Sequence, residues 1–321
     1  MTEPAQPIPH WPGEMVSLGS HEVFVRGAPA GQDTEPALFV HGLEGSSRNW
    51  TDLMDLLSPR LACDALDLPG FGDSPPRPDG RYSIAALAET VIALIQKRSR
   101  PVHLVGNSLG GAVSVKVAAT RPDLVRTLTL ISPALPDLRP RLDLVRFPVV
   151  ALPRVGARLI RQYQAALPPE RRVAAVIATC YSNPGLFPQA RFAAEAAELS
   201  RRDSVEYAAA ALMGSARALT SEFLRRDRHS PWRDAALVTA PTLVIYGQHD
   251  RLVDPRAAGR AAHVFRDARI VVLPRTGHVA QMERPRLVAA EIGILLASAD
   301  AAADRGAEAD RAREFPLAPA G

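Results

Sequence analysis

Short, mostly apolar runs recur along the first part of the chain, each followed by a turn and then by a segment with helical spacing. Ala37–Val40, Leu61–Leu66, Val102–Val105 and Val125–Ile131 are such runs, as expected of strands covered on both faces. Between them, Asn49–Leu57 and Tyr82–Ile95 carry apolar residues at helical intervals, with Ser83 placed to cap the second, and Ala112–Ala119 predicts a third helix. Met15–Val25 alternates loosely and predicts one or two early antiparallel strands. From Pro133 to Trp232 the rhythm breaks into helical segments without a clear strand. It resumes with strands at Thr242–Tyr246 and Arg269–Leu273 and a closing helix at Arg286–Leu296.

Strands alternating with helices imply an α/β fold, a parallel sheet wrapped on both faces. The expected organisation is a core formed by 15–132 and 233–297, interrupted by a helical insertion, 133–232, of a size that suits a lid over a site. Residues 1–14 are expected to form an extended, Pro-rich lead-in, and the Ala/Asp/Arg-rich tail 298–321 to be disordered.

Composition narrows the class. The 321 residues are 47% hydrophobic and 22% charged, the balance of a soluble globular protein. A net charge of +4 invites a nucleic-acid reading, but Lys97 and Lys116 are the sole lysines, and the arginines are spread among Asp and Glu. No basic block is interleaved with aromatics, so nucleic acid is not the expected partner. Cys63 and Cys180 form neither a disulfide framework nor a metal-ligand pattern and read as small core residues. The Pro-rich start lacks the charged-then-apolar pattern of a signal peptide, and no uninterrupted apolar stretch of about 18 residues exists. The expectation is a cytoplasmic protein without a membrane span.

The chemistry is concentrated in a few turns. Gly106-Asn107-Ser108-Leu109-Gly110 is a G-x-S-x-G placed between a strand and a helix. A nucleophile on so tight a corner needs strained backbone angles, and glycines two residues away on either side remove the clashes. Serine needs a base to take its proton. His278, in Thr276-Gly277-His278 after the last predicted strand, is the candidate. The other histidines fit less well: His103 lies within a strand, His263 within a helix, and His41 before Gly42 reads as a turn-shaping residue. The carboxylate that orients the base is assigned to Asp250, which follows the Leu243–Tyr246 strand and lies between Ser108 and His278 in the chain. Asp254, beside Pro255, is its rival and reads as a helix cap. Backbone N–H groups of Leu109 and Leu43 are the expected oxyanion donors.

With these pieces in place the chain resembles the α/β-hydrolase superfamily. The matching segments are Val40-His41-Gly42, Asp67-Leu68-Pro69-Gly70-Phe71-Gly72-Asp73-Ser74, Gly106–Gly111, Tyr246-Gly247-Gln248-His249-Asp250 and Gly277-His278, in the family's order. The resemblance implies an eight-stranded, mostly parallel sheet, a helical cap and a Ser-His-Asp triad that uses neither cofactor nor metal on a small-molecule substrate. Epoxide hydrolases and haloalkane dehalogenases of this superfamily carry aspartate where Ser108 stands. Asn107 with Gly110-Gly111 is similar to the hydrolases that cleave carbon–carbon bonds of meta-ring-fission products, but those usually carry an aromatic residue next to the histidine, where Val279 stands here. Ester hydrolysis therefore ranks first and carbon–carbon hydrolysis second. A cofactor-free perhydrolase or oxygenase, or a non-catalytic scaffold, would use the same fold. In the insertion, apolar Phe147–Pro153 among Arg139, Arg141, Arg146, Arg154, Arg158 and Arg161 suggests an apolar pocket with an arginine for an acidic group, although a lid with solvated arginines explains the same pattern.

Overall fold

The computed structural model describes residues 7–31, 34–136, 153–224 and 230–314. Eight strands form one sheet: β1 (Gly13–Ser17), β2 (Glu22–Gly27), β3 (Glu35–Val40), β4 (Leu61–Leu66), β5 (Val102–Asn107), β6 (Val125–Ile131), β7 (Thr242–Gly247) and β8 (Ala268–Leu273). Their spatial order is β1-β2-β4-β3-β5-β6-β7-β8. β1 and β2 pair antiparallel, as do β2 and β4, and every other neighbouring pair is parallel.

The central strands β5 and β7 are buried along their whole length, which is why their sequences lack the polar alternation of a half-exposed strand. Side chains still alternate between two separate cores. Leu38, Val40, Leu104, Val244 and Tyr246 join one with helices α2 (Ile84–Arg98) and α3 (Leu109–Thr120). Phe39, Val105, Leu243 and Ile245 join the other, with α1 (Thr51–Leu57) and the long closing helix. Trp50, fully buried, packs tilted against Phe39 with ring centroids 5.3 Å apart. Ser83 caps α2, its side chain accepting from the Ala86 N–H at 3.2 Å. Because the parallel strands run the same way, the loops after β3, β5, β6, β7 and β8 gather along one sheet edge.

Between β6 and β7 the described helices are α4 (Pro153–Ala166), α5 (Pro169–Cys180), α6 (Gln189–Asp203), α7 (Ala208–Leu224) and α8 (Pro231–Leu237). The expected insertion, 133–232, is core at both its ends. Ala134, Leu135 and Trp232 belong to the main hydrophobic core, the Trp232 indole donates to the Pro136 carbonyl, and Lys116 on α3 pairs with Asp234 at 3.0 Å. An indole between α3 and the sheet edge buries far more surface than the surrounding arginines suggest. α6 and α7 lie over the loops at the sheet edge: Arg201 donates to Asp73 at 2.9 Å and Arg202 to the Glu44 carbonyl at 2.7 Å.

Two differences from the sequence reading stand out at the termini. After α9 (Ala257–Val264) and the short α10 (Ala280–Glu283), the closing helix α11 runs from Pro285 to Glu314. The tail expected to be disordered from 298 is therefore helical to that point. An Ala-rich continuation of a helix already nucleated on the core adds residues without a new nucleation cost. The lead-in is tied down as well: the His10 ring hydrogen-bonds the Thr51 hydroxyl at 2.7 Å, the Trp11 indole donates to the Thr51 carbonyl, and Arg191 on α6 donates to the Ile8 carbonyl and to both oxygens of Asp52.

Burial of His10, with Arg191, Arg48 and Arg26 close by, pushes its pKa down to about 4. An unfolded chain takes up this proton near 6.5 while the folded chain resists until about 4, so acidification across that window favours unfolding. A His10→Gln variant is expected to lose less melting temperature than the parent between pH 6.5 and pH 4. Parallel melting curves for the two proteins across that range would remove this role for His10.

Candidate active site

The corner after β5 is where the chain is most constrained. Ser108 adopts φ 53° and ψ −115°, a left-handed conformation that costs a non-glycine residue about 1–3 kcal/mol. Its surroundings hold it there. The Ser108 N–H donates to the Ile131 carbonyl at 3.0 Å, and the Ser108 carbonyl accepts from Ala134 at 2.9 Å and Ala112 at 3.1 Å. The flanking glycines are packing requirements: a Cβ on Gly106 would lie 2.4 Å from the Gly110 carbonyl oxygen, and one on Gly110 only 2.1 Å from that of Val40. α3 starts at Leu109, directly after Ser108, so Gly110 and Gly111 lie in the helix rather than in a turn before it. The positive end of the helix thus faces Ser108.

The loop after β3 packs against this corner. A Cβ on Gly42 would lie 3.1 Å from the Ser108 Cβ, so the backbone of Gly42-Leu43 passes close beside the serine. His41 holds the loop. Its Nδ1 is 2.7 Å from the Gly42 carbonyl and its Nε2 accepts from the Leu68 N–H at 2.9 Å, which defines a neutral ring protonated on Nδ1. Burial pushes its pKa down, in keeping with that neutral form. The loop after β4 closes around Asp67, whose carboxylate accepts from the N–H groups of Ser47 and Asp73. Gly42-Leu43 thereby lies beside Ser108, with Leu109 directly after the serine at the start of α3.

His278 follows β8 and shares a cavity wall with Ser108 and Leu43. Its Nδ1 lies 2.9 Å from Asp250 Oδ2. Asp250 is fully buried and comes from the loop after β7. Burial alone would push its carboxyl up. The charge and hydrogen bond of His278, together with the Val253 N–H at 2.9 Å, outweigh that cost and hold it below its ordinary value. Asp254 is engaged elsewhere, accepting from the Arg256 backbone N–H and the Arg256 guanidinium.

Four hydrogen bonds at this site are not legible in the motifs. Asn107 donates through Nδ2 to the Ile131 and His278 carbonyls, at 3.0 and 3.2 Å. The His278 N–H donates to the Cys180 carbonyl at 2.7 Å, and the Gly277 N–H to Glu283 at 2.6 Å. Cys180 lines the cavity, and burial pushes its thiol up to about 12, so it is no thiolate nucleophile at neutral pH. Cys63 is buried and also free.

The described residues leave a cavity of about 2190 Å³ above the sheet edge, walled by Val173, Ile177, Phe187, Leu212, Val279 and Met282 among others. Three of its arginines already have partners: Arg172 binds Asp203, Arg202 the Glu44 carbonyl, and Arg251 the Ala178 carbonyl. Arg139, Arg141, Arg146 and the Phe147–Leu152 stretch lie outside the described residues, as does the Arg154 side chain, while Arg158 and Arg161 on α4 are exposed. Among the described residues no helix is long and apolar enough to cross a membrane.

A mostly parallel eight-stranded sheet with a serine on the β5–α3 corner defines an α/β-hydrolase fold. A family model described as the alpha/beta hydrolase fold matches residues 36–285, and the chain belongs to that family. A 2-(acetamidomethylene)succinate hydrolase of Mesorhizobium japonicum is 28% identical over 284 residues, 87% of this chain and 92% of the relative. A dihydrolipoyllysine-residue acetyltransferase component of an acetoin cleaving system from Pseudomonas putida is 28% identical over 263 residues, 79% of this chain, and the chain spans 61% of that relative's length. Among solved structures, the 2-hydroxy-6-oxo-6-phenylhexa-2,4-dienoate hydrolase of Rhodococcus sp. strain RHA1 matches with a TM-score of 0.71 at 20% identity, over 89% of this chain and 99% of that one. At that identity the likeness is one of fold.

Since the His278 ring meets Asp250 and not Asp254, the two carboxylates are separable. Asp250→Asn is expected to lower turnover of a p-nitrophenyl ester by about 10²–10⁴-fold, and Asp254→Asn by no more than about twofold. The reverse ranking in steady-state kinetics would transfer the orienting role to Asp254.

Proposed function

We propose that the protein is a serine hydrolase that cleaves a carboxylic ester, or a related acyl bond, of a small and largely apolar substrate through an acyl-enzyme. The observation that carries this reading is Ser108 on its strained corner, in one cavity with a histidine whose other nitrogen is engaged by a buried aspartate.

In this mechanism Asp250 keeps the Nδ1 proton of His278 in place, leaving Nε2 as the acceptor. Ser108 Oγ attacks the carbonyl carbon while Nε2 takes its proton, and negative charge develops on the carbonyl oxygen. The backbone N–H groups of Leu109 and Leu43 stabilise that oxygen, aided by the N-terminus of α3. The tetrahedral intermediate collapses, the C–O bond to the alcohol breaks, and the imidazolium returns the proton to the departing oxygen. Water repeats the sequence on the acyl-enzyme, with His278 as base, and releases the acid and free Ser108.

The cavity favours a neutral substrate. Its described walls are mainly apolar; of the arginines that line it, Arg172, Arg202 and Arg251 each donate to a protein group and Arg260 lies over the Trp232 ring. An uncharged acyl chain avoids breaking these contacts.

Ser108→Ala and His278→Ala are each expected to lower ester turnover at least about 10³-fold, and Ser108→Ala to abolish labelling by a fluorophosphonate probe. A panel of p-nitrophenyl esters of increasing acyl length, run beside a dienoic ring-fission product and a carboxylate-bearing ester, tests the substrate class. Faster turnover of the dienoic compound would replace ester cleavage by carbon–carbon cleavage, and a clear advantage for the anionic ester would overturn the neutral-substrate reading.

A further inference from the structure

The buried carboxylate of Glu283 has no place in the mechanism above, yet it touches the loop that carries the base. It is 5% exposed, sits at the end of α10, and does not line the cavity. Its Oε2 accepts from the Gly277 N–H at 2.6 Å and from the Ser182 N–H at 3.1 Å, and its Oε1 accepts from the Asn183 N–H at 3.0 Å. Three main-chain donors thus converge on one carboxylate, one of them from the residue before His278 and two from the chain leaving α5. Hydrogen bonds to an ionised acceptor are about twice as strong as neutral ones.

The same two segments meet directly. The His278 N–H donates to the Cys180 carbonyl at 2.7 Å. A Cβ on Gly277 would lie 2.3 Å from that carbonyl oxygen and 2.6 Å from the Ser182 nitrogen, so the close approach requires glycine. The acid loop grips the same stretch: Arg251 donates to the Ala178 carbonyl at 2.7 Å, and the His249 ring lies 2.9 Å from the Ser182 hydroxyl.

We propose that Glu283 is a positioning residue for His278: by binding Gly277, Ser182 and Asn183 together, it fixes the histidine loop and the exit of α5 in one register. This rests on the reading of Ser108 and His278 as nucleophile and base. Glu283 meets neither substrate nor ring; it acts through the peptide that orients the imidazole. A glutamine there offers one acceptor and turns an N–H₂ group towards a main-chain donor, leaving a buried N–H unpaired. The loop then relaxes and Nε2 shifts relative to Ser108, a displacement to which proton transfer is steeply sensitive.

The test compares Glu283→Gln with the parent on p-nitrophenyl acetate and octanoate, with labelling by a small fluorophosphonate and a thermal melt followed by circular dichroism. For a folded variant, kcat on both esters and the labelling rate are expected to fall together by about 10–100-fold, with KM within about threefold. Unchanged kcat and labelling, or a loss confined to KM for octanoate, would reduce Glu283 to packing of the inserted helices and overturn the proposal. Should Glu283→Gln not fold, Glu283→Asp keeps the charge, shortens the reach and is read by the same criteria. Ser108→Ala, run alongside, separates the two levels. If it still labels, the serine hydrolase reading fails; if it does not label while the Glu283 variant behaves as the parent, only the positioning role fails.

Discussion

A left-handed serine at the end of a buried parallel strand is the constraint on which the rest of this structure depends. At φ 53° Ser108 pays conformational strain that its own side chain does nothing to relieve. What holds it is the close approach of three neighbouring segments. The end of β3 and the start of α3 come near enough that Gly106 and Gly110 have no room for a Cβ, and Ile131 at the end of β6 accepts the Ser108 N–H. The strain persists because the hydrogen bonds of Ser108 with Ile131, Ala112 and Ala134 would all have to break for the corner to relax. The sheet supplies the rigidity for this: β5 is buried along its whole length between two helical layers.

Around that corner the electrostatics are arranged so that few charges are buried and each has a partner. His41 is kept neutral by burial and serves as a hydrogen-bonding brace between the β3 and β4 loops. Asp250 stays ionised although fully buried, because His278 and the backbone of Val253 supply the hydrogen bonds that solvent no longer can. Glu283 is satisfied wholly by main-chain N–H groups. The polar groups that touch the histidine loop are thus rigidly placed, the condition under which dipoles stabilise developing charge without reorganising.

Among the described residues the inserted helices are joined to the core by specific polar ties as well as by apolar contacts, such as Ala211 of α7 buried in the main core. α5 ends against the histidine loop, α6 carries Arg191 to Asp52 and to the N-terminal segment, and Gly214 of α7 packs on Tyr82. The cavity lies between these ties and the sheet edge. Side chains from both parts therefore wall it, and the position of the histidine loop and that of α5 are physically linked.

Much of this was legible in the chain. Buried parallel strands are written as apolar runs, so β4 and β6 were readable to the residue; the corner was readable because only glycine tolerates such approaches. The end of the closing helix is not legible, because Ala, Asp and Arg repeated without aromatic anchors resemble a disordered tail, while propensity carries a nucleated helix onward. Nothing local marks Trp232 as a core residue, because its burial beside α3 has no signature in the sequence. Asn107 and Glu283 stood in plain view, but their partners lie on other segments, and no spacing rule announces a carboxylate shared by Gly277, Ser182 and Asn183. By itself, then, the sequence determined the strand–helix order and the residue types at each sheet-edge loop, because those are dictated by local sterics and by burial period. The tertiary structure alone decided that Asp254 turns to Arg256, and that the exit of α5 is bound to the histidine loop. The second pairing joins residues far apart in the chain, and it exists only once the sheet has brought its loops to one edge.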